Sequence, residues 1–214
     1  MSDLHGTAQA TAVMLRELAD VLEEAVAAGV PGAPPFQDIA QQLAVNRQPD
    51  HPYLVARGWD WWPVREASEV AGITLHHTLS HSPKATASYC SRARAAGGKG
   101  YPSIQYHFWV AAGDGCPVYR CAPVEWAVWH DHTGAYPKTI SVGMAGSLHL
   151  RAPVAEQLAA AVGLVAWLMG EYGVALEDVR GHNDRYERTV CPGWDRAAWR
   201  GAFYEALKMA IEGR

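Results

Sequence analysis

No part of this 214-residue sequence approaches the ~18–20 consecutive apolar residues that a bilayer span requires, so no transmembrane helix is expected. The opening MSDLHGTAQATAV lacks a basic segment followed by an apolar one, so no secretory signal is read there and the chain is expected to be cytoplasmic on synthesis. Cysteine is scarce: Cys90, Cys116, Cys121 and Cys191 are too few for a disulfide framework and are expected as thiols. Cys116 and Cys121 fall on what reads as one strand at an odd spacing, so they should face opposite sides and not pair. An excess of positive charge is also missing. With 18 Lys and Arg against 22 Asp and Glu, the net charge of -4 excludes a general nucleic-acid binder, which must displace counterions from phosphates. Phenylalanine is rare, three residues against nine tryptophans and nine tyrosines, and rings with a polar edge suit carbohydrate-like or peptide substrates as well as core and rim positions. There is no internal repeat and no low-complexity tract.

What is present is enough apolar sequence, 49% hydrophobic, for one domain with its own core and a small extension. Met14, Leu18, Val21, Leu22, Ala25 and Val26 recur at helical spacing and predict an amphipathic helix over 8–28, stopped by Gly29 and Pro31. A shorter helical pattern at Phe36, Ile39 and Leu43 follows the break at 31–35. Residues 1–58 therefore read as an N-terminal helical extension, either packed on the domain or pairing with a second copy to make a homodimer.

From 59 to 214 strands and helices interleave. GITLHHT (72–78), IQYHFWVA (104–111), PVYRC (117–121) and ISVGMAG (140–146) predict strands, the middle two joined as a hairpin through Gly113-Asp114-Gly115. Helices are expected over 84–96, over a long segment opened by Pro153 and closed by Gly173, and from Asp195 onward with Trp199, Phe203, Ala206, Leu207 and Ile211 on one face. The class is α/β, a mixed central sheet flanked by helices.

The chemistry concentrates in GHNDRYERTVCPGW (181–194), where His182 and Cys191 lie close in sequence. A third group is available in GITLHHT: Ile73 and Leu75 alternate with Thr74, His76 and Thr78, which puts His76 on the polar face and His77 on the apolar face as a packed, hydrogen-bonded core histidine. Two imidazoles and one thiolate make a zinc tripod with a fourth position open for water. The residues alone leave other readings standing: Cys191 as a nucleophile with His182 as its base, its pKa lowered by a following helix N-terminus, or an ordinary loop.

The ordered set LHHT (75–78), QYHFWV (105–110), WAVWH (126–130), TISVGMAGSL (139–148), GHND (181–184) and TVCPG (189–193) resembles the zinc-dependent N-acetylmuramoyl-L-alanine amidases, the family that includes phage lysozyme-type amidases and the peptidoglycan recognition proteins. The resemblance implies that His76, His182 and Cys191 bind Zn²⁺, that Tyr106 assists catalysis, and that Thr189 occupies the family's Lys-or-Thr position before the cysteine. It places His130 at the substrate groove, with Trp129, Asn183 and Arg185 as further groove candidates. The loop from His182 to Cys191 is longer than in the family, and the extension has no counterpart in the family core. The activity implied is hydrolysis of the amide between N-acetylmuramic acid and L-alanine in peptidoglycan, by an enzyme released to the wall as a phage endolysin is. The alternatives are a peptidoglycan-binding module without catalysis and a cysteine-nucleophile wall hydrolase. The indole cluster Trp59, Trp61 and Trp62 reads as a sugar platform or as a packed hinge.

Overall fold

The alternation along GITLHH sets the layering of the molecule. The computed structural model describes residues 34–43, 55–58 and 62–213, together with Val13 and Arg16. Its strands are β1 (Phe36–Asp38), β2 (Gly72–His77), β3 (Phe108–Val110), β4 (Val118–Arg120), β5 (Thr139–Met144) and β6 (Val179–Gly181). They form one sheet in the order β1-β4-β3-β5-β2-β6, parallel throughout except for the β3–β4 hairpin. The helices among the described residues are α1 (Ala40–Leu43), α2 (Pro83–Ser91), α3 (Ala155–Tyr172), α4 (His182–Arg185) and α5 (Arg200–Glu212). None of these helices is long and apolar enough to cross a membrane.

One face of the sheet carries Ile73, Leu75, Phe108, Val110, Ile140 and Val142, which share a core with Leu158, Val162 and Val165 of α3 and Phe203 and Leu207 of α5. Each such side chain contributes roughly 1.5–3 kcal/mol on burial. The opposite face carries Trp109, which packs with Leu43, Ala87 and Ile104, and the polar residues Thr74, His76 and Ser141, all buried. β2 and β5 are covered on both sides, as parallel strands require. The face expected to be polar is thus polar in composition but closed to solvent.

Several boundaries differ from the sequence reading. Phe36 belongs to a strand rather than a helix, because its segment pairs with Val118–Arg120 at the sheet edge and only Ala40–Leu43 is helical. The strand read over 104–111 shortens to three residues because the His107 ring enters the ladder: its Nδ1 accepts from the Ser141 amide at 2.9 Å. The last helix begins at Arg200 rather than Asp195, since Ala198 adopts φ 56°, a left-handed conformation that a helix cannot include. Pro153 precedes the cap of α3, Val154, and Gly173 closes it in the left-handed conformation. Cys116 and Cys121 flank β4 rather than lying on it, and all four cysteines are free. Trp62 is a core residue whose indole donates to Ser103 Oγ at 2.7 Å. The helix read over 8–28, apart from Val13 and Arg16, lies outside the described residues, as do Trp59 and Trp61.

Candidate metal centre

Three separate segments deliver the site. His76 comes from the end of β2, His182 opens α4 directly after β6, and Cys191 follows in the loop beyond. β6 pairs with β2, so the first two are brought together by the sheet itself. The third is tied in by backbone: the Asn183 amide donates to the Cys191 carbonyl at 2.6 Å, and the His77 amide donates to Cys191 Sγ at 3.2 Å. Gly193 then lets the chain turn back against the Leu148–His149 backbone, where a Cβ would lie 2.3 Å from the His149 nitrogen. With φ 93° the position is doubly restricted to glycine.

One donor atom from each of His76, His182 and Cys191 lies within 4.8 Å of the others, and all three residues are buried. The donor set fits zinc. A tetrahedral ion ~2.3 Å from sulfur and ~2.05 Å from nitrogen separates those two donors by about 3.6 Å, and Cys191 Sγ is 3.6 Å from His76 Nδ1. His182 Nε2 is buried with no hydrogen-bond partner. His76 is further held from its other nitrogen: Nε2 lies 3.1 Å from His130 Nδ1, and His130 Nε2 lies 3.0 Å from Thr139 Oγ1, whose hydroxyl in turn donates to the Ala135 carbonyl at 3.3 Å. Followed from that carbonyl backward, the chain gives His76 its proton on Nε2 and leaves Nδ1 free toward the sulfur.

The electrostatics suit ligands. Burial lowers His107 to about 3 and His77 and His182 to about 4, and holds His76 and His130 well below the ordinary imidazole value; neighbouring imidazoles reinforce the shift at His76. Neutral rings are the form that binds metal. Burial pushes the Cys191 thiol up to about 12, a shift the His77 amide opposes and a bound cation reverses. A pH dependence follows. These five rings take protons near pH 6.5 when unfolded but refuse them when folded, so stability is full above that pH and drains as pH falls toward 4. Melting of the metal-free protein, followed by circular dichroism, should drop steadily from pH 7 to pH 4. A flat profile would contradict the neutral packing of these rings.

The cluster lines a pocket of about 260 Å³, together with Tyr106, Trp129, His130, Asp131, His132, Gln105, Tyr89 and Lys99. Tyr106 sits there because of Gly143, the β5 partner of His76: a Cβ at that glycine would come within 3.0 Å of the tyrosine ring. The ring centroids of Tyr106 and His76 are 5.4 Å apart, and burial keeps the phenol protonated. The segment carrying Trp129 and His130 is held at both ends by buried Arg65, which donates to the carbonyls of Val124, Pro137 and Thr139 at 2.8–3.0 Å. Burial lowers that guanidinium only to about 10, so it stays charged.

Two groove candidates, Asn183 and Arg185, and the catalytic candidate Thr189 lie outside the pocket lining. The Thr189 hydroxyl accepts from the Cys191 amide at 3.2 Å. Asn183 donates to Asp195 Oδ2 at 2.7 Å, and Arg185 donates to the Asp178 carbonyl at 3.2 Å beneath the start of β2. Glu187 is exposed. His77 is packed against His149 at 5.0 Å between centroids, but its Nδ1 has no partner, so it is not the hydrogen-bonded core histidine expected. The sequence reading missed Asp131, Gln105 and Lys99, whose signals are single polar residues in irregular segments.

Residues 66–194 match the N-acetylmuramoyl-L-alanine amidase family. Among solved structures, the Ph2119 endolysin from Thermus scotoductus MAT2119 bacteriophage Ph2119 aligns with a TM-score of 0.60 at 18% identity, over 81% of this chain and 99% of that one. The solution structure of the PlyG catalytic domain aligns with a TM-score of 0.57 at 20% identity, over 83% and 96%. The N-acetylmuramoyl-L-alanine amidase LysC from Clostridium intestinale URNW aligns with a TM-score of 0.50 at 24% identity, over 62% and 83%. These likenesses establish the fold. No curated protein matches the sequence.

Proposed function

The chain belongs to the N-acetylmuramoyl-L-alanine amidase family, and from that premise we infer that His76, His182 and Cys191 hold a zinc ion at which the amide between N-acetylmuramic acid and L-alanine is hydrolysed. The protein is an enzyme of peptidoglycan hydrolysis. The observation that carries the zinc reading is the 3.6 Å separation of Cys191 Sγ and His76 Nδ1 in a cluster whose imidazoles are held neutral.

A zinc ion held by His76, His182 and Cys191 would supply Lewis-acid chemistry, polarising the amide carbonyl and activating water at neutral pH. The chain's own residues do the rest. His130 fixes the ring of His76 through the Nε2–Nδ1 contact and so acts on the ligand rather than on the sugar or peptide. Tyr106, kept protonated by burial, donates its O–H toward the oxygen on which charge develops. Trp129, half-buried at the pocket wall, presents an indole against which the substrate packs. Thr189 acts indirectly, by holding the backbone of Cys191.

The catalytic unit is residues 59–214; residues 1–58 are an extension whose β1 completes the sheet edge. The enzyme reaches the wall through a lysis event, as an endolysin does. Purified peptidoglycan incubated with the protein should yield new L-alanine amino termini and no new reducing sugar ends. Wall that is bound but uncut would overturn the assignment in favour of a binding module.

The cysteine-nucleophile alternative does not find the partners the sequence suggested for it. The imidazole hydrogen-bonded to Cys191 is His76, not the expected base His182. The helix expected to activate the thiol starts only at Arg200.

A further inference from the structure

We propose that Asp131 is the counter-charge of the metal centre, an outer carboxylate whose charge strengthens the hold of His76, His182 and Cys191 on a divalent cation. This rests on the zinc reading above. The side chain is fully buried, in the lining of the same pocket as the three ligands. Its two oxygens have different surroundings. Oδ1 accepts from the amide and the hydroxyl of Thr133, both at 3.0 Å, which is an ordinary turn. Oδ2 is buried and has no hydrogen-bond partner. It lies 3.9 Å from His130 Nδ1, and that nitrogen is already engaged with His76 Nε2.

A carboxylate oxygen left dry and unpaired is costly, and proteins keep such groups where a cation compensates them. Among the described residues the one charge-pair contact of Asp131 is to His130, a ring that burial keeps neutral. Lys99 lines the pocket too but makes no ion pair with it. The metal ligands carry one negative charge at most, the Cys191 thiolate, so a divalent ion there leaves one positive charge over. Asp131 balances it; Arg185, the other cation that feels this carboxylate, makes no ion pair with it among the described residues.

The test is Asp131→Asn, which keeps the Oδ1 acceptor and the turn while removing the charge. Zn²⁺ affinity would be measured by chelator competition, and thermal unfolding in excess chelator. The variant should bind Zn²⁺ about 10–100-fold more weakly. Its metal-free form should melt at or above the wild-type temperature, because the unpaired charge is gone. Thr133→Ala, which cuts the turn and leaves the charge, should keep wild-type Zn²⁺ affinity. Unchanged affinity in Asp131→Asn overturns the proposal, as does a metal-free form that melts lower or fails to fold, since both results assign Asp131 to the turn alone. A wild-type protein that binds no Zn²⁺ overturns the zinc reading itself, a separate result.

Discussion

Replacing Cys191 with alanine is expected to remove zinc from the protein and to slow amide hydrolysis by at least ~10³-fold, because activation by the ion supplies several kcal/mol and each ~1.4 kcal/mol is a factor of ten. The loss alone does not separate a ligand from a nucleophile. Cys191→Asp does. A carboxylate is a competent zinc ligand, and the position is already enforced by the His77 amide at 3.2 Å and the Asn183–Cys191 backbone bond at 2.6 Å. The aspartate variant should retain zinc and measurable hydrolysis, both abolished by chelation. A cysteine nucleophile predicts instead an enzyme indifferent to chelator and dead in both variants, with activity read as release of L-alanine amino groups.

Tyr106→Phe should leave zinc content and KM unchanged and lower kcat by about 10²–10³, the usual effect of deleting one donor to a developing oxyanion. The ring keeps its place in the variant, since Gly143 still makes room for it and Trp109 still packs against it at 6.0 Å between centroids. Only the O–H is lost. A proportional rise in KM would instead assign the tyrosine to substrate binding, and loss of zinc would assign it to the metal shell. Rapid-quench assays with a soluble muramoyl peptide separate the three outcomes.

The parts legible in sequence were those with a short period or a short range. Strict alternation along β2 was enough to choose His76 over His77, because a strand turns successive side chains to opposite faces whatever covers them. The glycine stop of α3 and the β3–β4 hairpin were legible for the same reason, as local backbone chemistry. The limits of β3 and α5 were not. The first is set by the His107 ring, which takes the Ser141 amide from a segment far along the chain, and the second by the left-handed turn at Ala198, for which alanine carries no signal.

The site divides along the same line. His182 and Cys191 are marked by the glycine and proline residues beside them, but nearness in sequence does not bring Asn183, Arg185 and Thr189 into the pocket lining. Those side chains bond within the loop's own scaffolding, Asn183 Nδ2 to Asp195, Arg185 Nη2 to the Asp178 carbonyl and Thr189 Oγ1 to the Cys191 amide, although Asn183 Oδ1 and Arg185 Nε stay unpaired. Asp131 shows the converse. Next to His130 it looks like one more polar loop residue, and its importance emerges only when Arg65 gathers the ends of that segment and turns it inward to the cluster.

X-ray absorption at the zinc edge, on protein purified in the presence of zinc, reads the donors of the metal themselves. One zinc per chain is expected, with one sulfur and two imidazole nitrogens as its protein donors and an oxygen completing the shell. A zinc bound through nitrogen and oxygen alone, or protein that holds no zinc, would contradict the account.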